Sequence, residues 1–91
     1  MANFKNKEEL LERFKEDNSI IYYVSKELRN DHEFMMEAVK ISGWAIRYAS
    51  EEIRSDREFV IEAIKNAGWA IRYASEELRN EREVVMKAVK N

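Results

Sequence analysis

Ninety-one residues, 45% hydrophobic and 37% charged, suffice for one small domain with a core of limited depth. The absence of proline and the presence of only two glycines argue for helices and against a loop-rich or disordered chain; the absence of cysteine excludes a disulfide framework and a thiolate metal site, and fits a reducing compartment. A net charge of −2 gives the chain as a whole no pull toward nucleic acid or anionic lipid.

The first seven residues, Met-Ala-Asn-Phe-Lys-Asn-Lys, lack the apolar stretch of a signal peptide. The longest aliphatic and aromatic run, residues 20–24, is far too short to span a bilayer. Together they predict a cytoplasmic protein with no membrane partner.

The decapeptide Gly-Trp-Ala-Ile-Arg-Tyr-Ala-Ser-Glu-Glu stands at residues 43–52 and again at 68–77, an offset of 25. Residues 31–55 and 56–80 are identical at 17 of 25 positions. A more diverged copy, residues 6–30, shares Glu8, Glu12, Lys15, Ile21, Tyr23, Ser25, Glu27 and Arg29 with the second. Residues 81–91 repeat the first half of a unit. A fixed period of this length is the signature of a repeat architecture.

The first unit is polar where the later ones are apolar. Glu9 replaces Phe34 and Phe59, and Arg13 replaces Ala38 and Ala63, as expected of a terminal cap. Asn18 stands in the register of Gly43 and Gly68.

In the second unit Asn30 followed by Glu33 reads as a capping box, repeated by Ser55 with Glu58 and Asn80 with Glu83. Acidic Asp31, Asp56 and Glu81 fall in the first turn, where the helix dipole favours negative charge. The helix that follows carries Phe34, Met35, Ala38 and Val39 on one face, and its copy Phe59, Val60, Ala63 and Ile64. That spacing is helical. Lys40 and Lys65 suit the last turn. Gly43 and Gly68 then predict a helix stop in the left-handed conformation, with Asn18 the next best residue for it.

A shorter helix follows at once. An α-helical period over residues 44–49 predicts a buried face of Trp44, Ala45, Tyr48 and Ala49, with Arg47 pointing away. Residues 50–53 are expected to form a separate single turn that plants Ile53 in the core. Two short helices cannot bury their apolar sides alone, whereas stacked units can. The expected fold is therefore all-α: a right-handed α-solenoid of 25-residue two-helix repeats, about seven short helices in a single domain over 1–91, with units 6–30, 31–55, 56–80 and a partial unit 81–91.

The pattern Asp-Arg-Glu-Phe-Val-x-x-Ala-x-Lys-x-x-Gly-Trp-Ala-x-Arg-Tyr-Ala-Ser-Glu-Glu-Leu-Arg-Asn of the third unit resembles the domain-of-unknown-function repeat family numbered four-one-one-six. That family forms tandem arrays in bacterial and protist proteins. The resemblance is most specific over residues 31–91, and residues 6–30 depart from it at Glu9, Arg13, Asn18 and Ser19. It implies a helical array and carries no activity with it.

Catalysis is not expected, and neither is a cofactor. His32 is the one histidine, and its copies are Arg57 and Arg82, which marks an exposed, charge-tolerant position. Ser25, Ser50 and Ser75 recur once per unit, as a capping residue does. The pairs Glu51–Glu52 and Glu76–Glu77 diverge from a helix end beside Arg54 and Arg79, so they read as a solvated rim and not as a metal site.

The rows of Trp44 and Trp69, of Tyr23, Tyr48 and Tyr73, and of Arg47 and Arg72, with Tyr22 in the first unit, are candidates for an interaction surface. Aromatic rows with interleaved arginine can hold single-stranded nucleic acid or peptides. The stronger reading at this spacing takes the aromatics as core and the arginines as soluble edge. The row Arg29, Arg54 and Arg79 lies beside Glu27, Glu52 and Glu77, which cancels much of its field and makes nucleic acid an unlikely partner.

Val84, Val85, Met86, Ala88 and Val89 copy the interior pattern with no second helix after them. They predict an open apolar face and a weak homodimer through the C-terminal helix. The expected role is a non-enzymatic interaction or scaffold module for an unidentified protein or peptide. The alternatives are a self-assembling or designed repeat protein and, further off, a nucleic-acid-binding array.

Overall fold

The computed structural model describes residues 7–90. The N-terminal stretch before Lys7, the first residue of unit 6–30 and the last of unit 81–91 lie outside the described residues.

Among the described residues every element is helical. In order it forms α1 (Lys7–Glu16), the 3₁₀ segment η1 (Asn18–Tyr23), α2 (Lys26–Arg29), α3 (His32–Ile41), η2 (Gly43–Tyr48), α4 (Glu51–Arg54), α5 (Arg57–Asn66), η3 (Gly68–Tyr73), α6 (Glu76–Arg79) and α7 (Arg82–Lys90). Each unit thus has three helical pieces, not two: a ten-residue helix, a 3₁₀ segment and a single turn. The long helices pack in sequence, α1 on α3, α3 on α5 and α5 on α7, and the 3₁₀ segments pack likewise on a second layer. The particle measures 43 × 22 × 17 Å, and one apolar cluster runs through it from Leu10 to Val84.

The caps sit one residue later than expected. Asp31 Oδ1 accepts from Phe34 N–H at 2.9 Å, and Asp56 Oδ1 from Phe59 N–H at 3.1 Å. Asn30, Ser55 and Asn80 instead close the preceding single turns. Their backbones are still near-helical, with φ −104°, ψ 10° at Asn30, and a cap needs an extended residue, which Asp31 supplies at φ −93°, ψ 111°. The recurring serines hold those single turns. Ser25, Ser50 and Ser75 hydroxyl oxygens accept from Leu28, Ile53 and Leu78 N–H at 3.2–3.3 Å. Ile53 and Leu78 are thereby set into the core, so residues 51–54 do form the separate turn.

The two glycines do not adopt the left-handed conformation; no described residue has positive φ. Helix α3 ends because Ser42 is extended (φ −151°, ψ 122°), with its N–H still bonded to Ala38 O at 2.9 Å; Ala67 ends α5 in the same way. Glycine is needed at 43 for space. A Cβ there would lie 2.8 Å from Ala67 Cβ in the next unit. Asn18, in the same register, donates from Nδ2 to Phe14 O at 2.7 Å and satisfies a last-turn carbonyl of α1.

The face of η2 is also rephased. With three residues per turn, Gly43, Ile46 and Ala49 line up in one row. Those three and Ala45 are buried, while Trp44 is exposed and Tyr48 is half-buried. The α-helical period had placed Trp44 and Tyr48 inside and left Ile46 out.

Polar ties repeat across each unit boundary. Ser50 N–H donates to Arg29 O at 3.0 Å and Ser75 N–H to Arg54 O at 3.1 Å. Asn66 Nδ2 donates to Val39 O at 2.6 Å, and Ser50 Oγ to Asn30 Oδ1 at 2.6 Å. Along the starts of the long helices, Lys7 pairs with Asp31, His32 Nε2 lies 3.1 Å from Asp56 Oδ2, and Arg57 reaches Glu81 at 3.2 Å and Glu83 at 2.7 Å.

Candidate interaction surface

The first exposed feature with chemistry of its own is built by the 3₁₀ layer. Because Gly43, Ile46 and Ala49 take the inner row, Trp44 and Arg47 are turned outward. The same holds for Trp69 and Arg72 in η3. The Trp44 and Trp69 rings stack across the unit boundary at 4.3 Å between centroids, tilted by 41°, and Trp69 meets Tyr73 edge-on at 6.2 Å. Trp44 remains 52% exposed and Trp69 39%, so the tryptophans are surface residues and the core assignment for them does not hold.

A second aromatic pair lies beside the stack. Tyr22 and Tyr48 meet edge-to-face at 5.1 Å. Hydrogen bonding with Tyr22, aided by burial, raises the Tyr48 hydroxyl above its ordinary pKa. The Arg29 guanidinium lies 5.5 Å from the Tyr48 ring centre and that of Arg47 5.9 Å. Arg29 also donates from Nε to Val24 O at 3.1 Å and from Nη2 to Tyr22 O at 3.1 Å, so it finishes η1 and is not free to form a basic stripe. Between η1 and η2 lies an open cleft of about 330 Å³, bounded by Ile21, Tyr22, Trp44, Arg47 and Tyr48 together with Asn18 and Ser19.

The second feature is the outer face of α7. Val84 was expected on it, but Val84 is fully buried: it occupies the Phe34 and Phe59 position, which faces back onto the preceding unit, and α7 packs on α5 and η3. Val85, Met86 and Val89 are exposed. Val60 and Ile64, which hold the Val85 and Val89 positions one unit earlier, are 0% exposed, whereas Val85 is 36% and Val89 74% exposed. At the other end Glu9 and Arg13 are exposed, as polar residues on the outer side of α1 must be.

The remaining sequence candidates have structural places. His32 stands in the ion-pair series, and the serines are caps. Among the described residues no three His, Cys, Asp or Glu side chains converge as a metal site, and no polar or charged side chain belongs to the buried set. The ion-pair series was not foreseen, although a basic residue 24 positions before an acid recurs at 7/31, 32/56 and 57/81.

An all-helical fold on a sequence with a 25-residue period, with an outward aromatic row, defines the class of this protein. The family model described as "Domain of unknown function (DUF4116)" matches residues 6–54 and 56–91, and the chain belongs to that family. No curated protein and no solved structure matches it.

Proposed function

We propose that this chain is an α-solenoid serving as a non-enzymatic interaction or scaffold module, with the outward aromatic–arginine row of the 3₁₀ layer as its docking surface. The observation that carries this reading is the half-exposed Trp44–Trp69 stack. Exposed tryptophan beside arginine is the composition of protein interaction hot spots. The recurring serines cap the single turns, and Ser50 and Ser75 also tie neighbouring units, which supports a role in presenting a surface.

A photo-crosslinker placed at Arg72 in the source cell should capture discrete protein adducts that vanish in the Trp44→Ala/Trp69→Ala variant. The same group at Lys65, on the long-helix layer, should capture none. Adducts equal at both positions, or absent at Arg72, overturn the reading.

A second reading, self-assembly, draws on the exposure of Val85 and Val89 against the full burial of Val60 and Ile64. The polar side chains Glu9 and Arg13 at the opposite end disfavour head-to-tail growth, so a closed dimer of α7 faces is the form such assembly takes.

A further inference from the structure

The aromatic row is not uniform, and its irregularity is confined to one junction. Positions 19, 44 and 69 are equivalent in the repeat, and they hold Ser19, Trp44 and Trp69. Between η2 and η3 the two indoles fill the junction by stacking. Between η1 and η2 a serine stands where a third indole would stack, and that is where the cleft opens. Trp44 and the Tyr22–Tyr48 pair line it. Buried Ile21 lies at its base. The volume of about 330 Å³ is at the lower end of the range of small-ligand sites, about 300–1,000 Å³.

The one charged side chain in the cleft lining is Arg47. Arg47, exposed and beside Tyr48, supplies a guanidinium at one side. Asp17, which caps η1 and stands outside the cleft lining, accepts from Ser19 Oγ at 2.7 Å and from Ser19 N–H at 3.0 Å. Those bonds hold the Asp17 carboxyl below its usual range, so it is anionic at neutral pH. A site with aromatic side chains and a guanidinium in its lining complements a segment that carries a ring and a carboxylate. A polyanion would meet Asp17 unfavourably, on a chain whose net charge is already −2.

We propose that the η1–η2 cleft is a specificity pocket for a short linear peptide, in which a ring side chain (aromatic or proline) inserts against Trp44 and a carboxylate one or two residues away pairs with Arg47. This rests on the interaction-module reading and names the chemistry of its partner. Arginine matches a carboxylate through two parallel N–H donors, which fixes the orientation of the segment as well as its charge.

The test is a selection from a random twelve-residue peptide display library against the full chain. Enriched sequences should pair Trp, Tyr, Phe or Pro with Asp or Glu within two positions. Ser19→Trp, which places an indole where the other units carry one, should fill the cleft and weaken those peptides at least tenfold while circular dichroism and the thermal midpoint hold. Arg47→Glu should remove the preference for acidic residues and leave the ring preference. Enriched peptides that lack an acid, peptides that bind Ser19→Trp unchanged, or no enrichment at all overturn the proposal. Binding of a single-stranded RNA pool that is lost in Ser19→Trp overturns it in favour of nucleic acid. Peptides that tolerate Ser19→Trp but lose binding in Trp69→Ala would leave the docking row standing while removing this pocket; peptides insensitive to every row substitution would remove both.

Discussion

At the scale of single residues, space and not dihedral freedom explains why glycine stands at 43. The backbone there needs no positive φ, but Ala67 Cβ in the next unit leaves no room for a side chain. Gly43→Ala should therefore destabilise by about 1–3 kcal/mol through overpacking. Adding Ala67→Gly should restore part of the loss, a coupling that a strained dihedral would not show. Gly68, half-buried at the equivalent position, should accept alanine at little cost. Urea midpoints of the four proteins check this; equal losses at 43 and 68 would speak for a conformational role. Tryptophan follows the same logic. A half-exposed ring stacked on another loses an aromatic contact and part of its buried area, so Trp69→Ala should cost about 1–2 kcal/mol. Ile64→Ala, which empties a fully buried site, should cost about 2–5 kcal/mol. Reversal of that order in denaturant melts would return Trp69 to the core.

The elements of each unit are separated by caps, and these set the acid sensitivity. Ser50 holds the N-terminus of α4 and also donates to Asn30 in the preceding unit. Ser50→Ala should cost about 1 kcal/mol or somewhat more, read from the thermal midpoint. Asp31 caps α3 and receives Lys7 from α1. The hydrogen bond from Lys7, then that from Phe34 N–H, holds the Asp31 carboxyl below its ordinary value, against a smaller opposing effect of burial. A carboxyl depressed in the folded state gives stability that is whole above the unfolded pKa, about 3.9, and lost as pH falls through the folded value. The fall in stability below about pH 4 should be shallower in Asp31→Asn than in the parent chain. Urea midpoints measured at pH 7 and pH 3 decide it: identical falls would show that Asp31 contributes nothing to the acid limb. The cap positions also show where a sequence pattern misleads. Serine or asparagine three residues before glutamate was a sound box on paper, yet the single turn ahead of it keeps Asn30 near-helical and hands the extended cap conformation to Asp31.

For the whole molecule, the repeat made the helical class and the polar character of α1 legible in the sequence. A 25-residue copy constrains its twin, and Glu9 and Arg13, which break the copy, are exposed on α1. The exposed layer was not legible, because an α-helical period was laid over residues that run at three per turn. That single error sent Trp44 inward and left Ile46 off the buried face, and so placed the aromatic row in the core. Val84 was misjudged for a related reason: sequence shows which residues of α7 are apolar, but only packing shows that Val84 faces α5 and η3 while Val85 and Val89 face away. Those two side chains carry the last prediction. Their counterparts Val60 and Ile64 are sealed from water by the unit that follows, and burial of such surface is worth about 25 cal/mol per Å². A patch of two valines and Met86 is small, so its self-association should be weak, dimeric and dependent on concentration. Sedimentation over a concentration series should show a monomer passing into a dimer and no larger species. Val85→Lys with Val89→Lys should abolish the dimer while helicity stays at the parent level, since both positions are exposed on α7. Sedimentation as a monomer at the highest attainable concentration would sink the dimer, and association that survives both lysines would place it on another face.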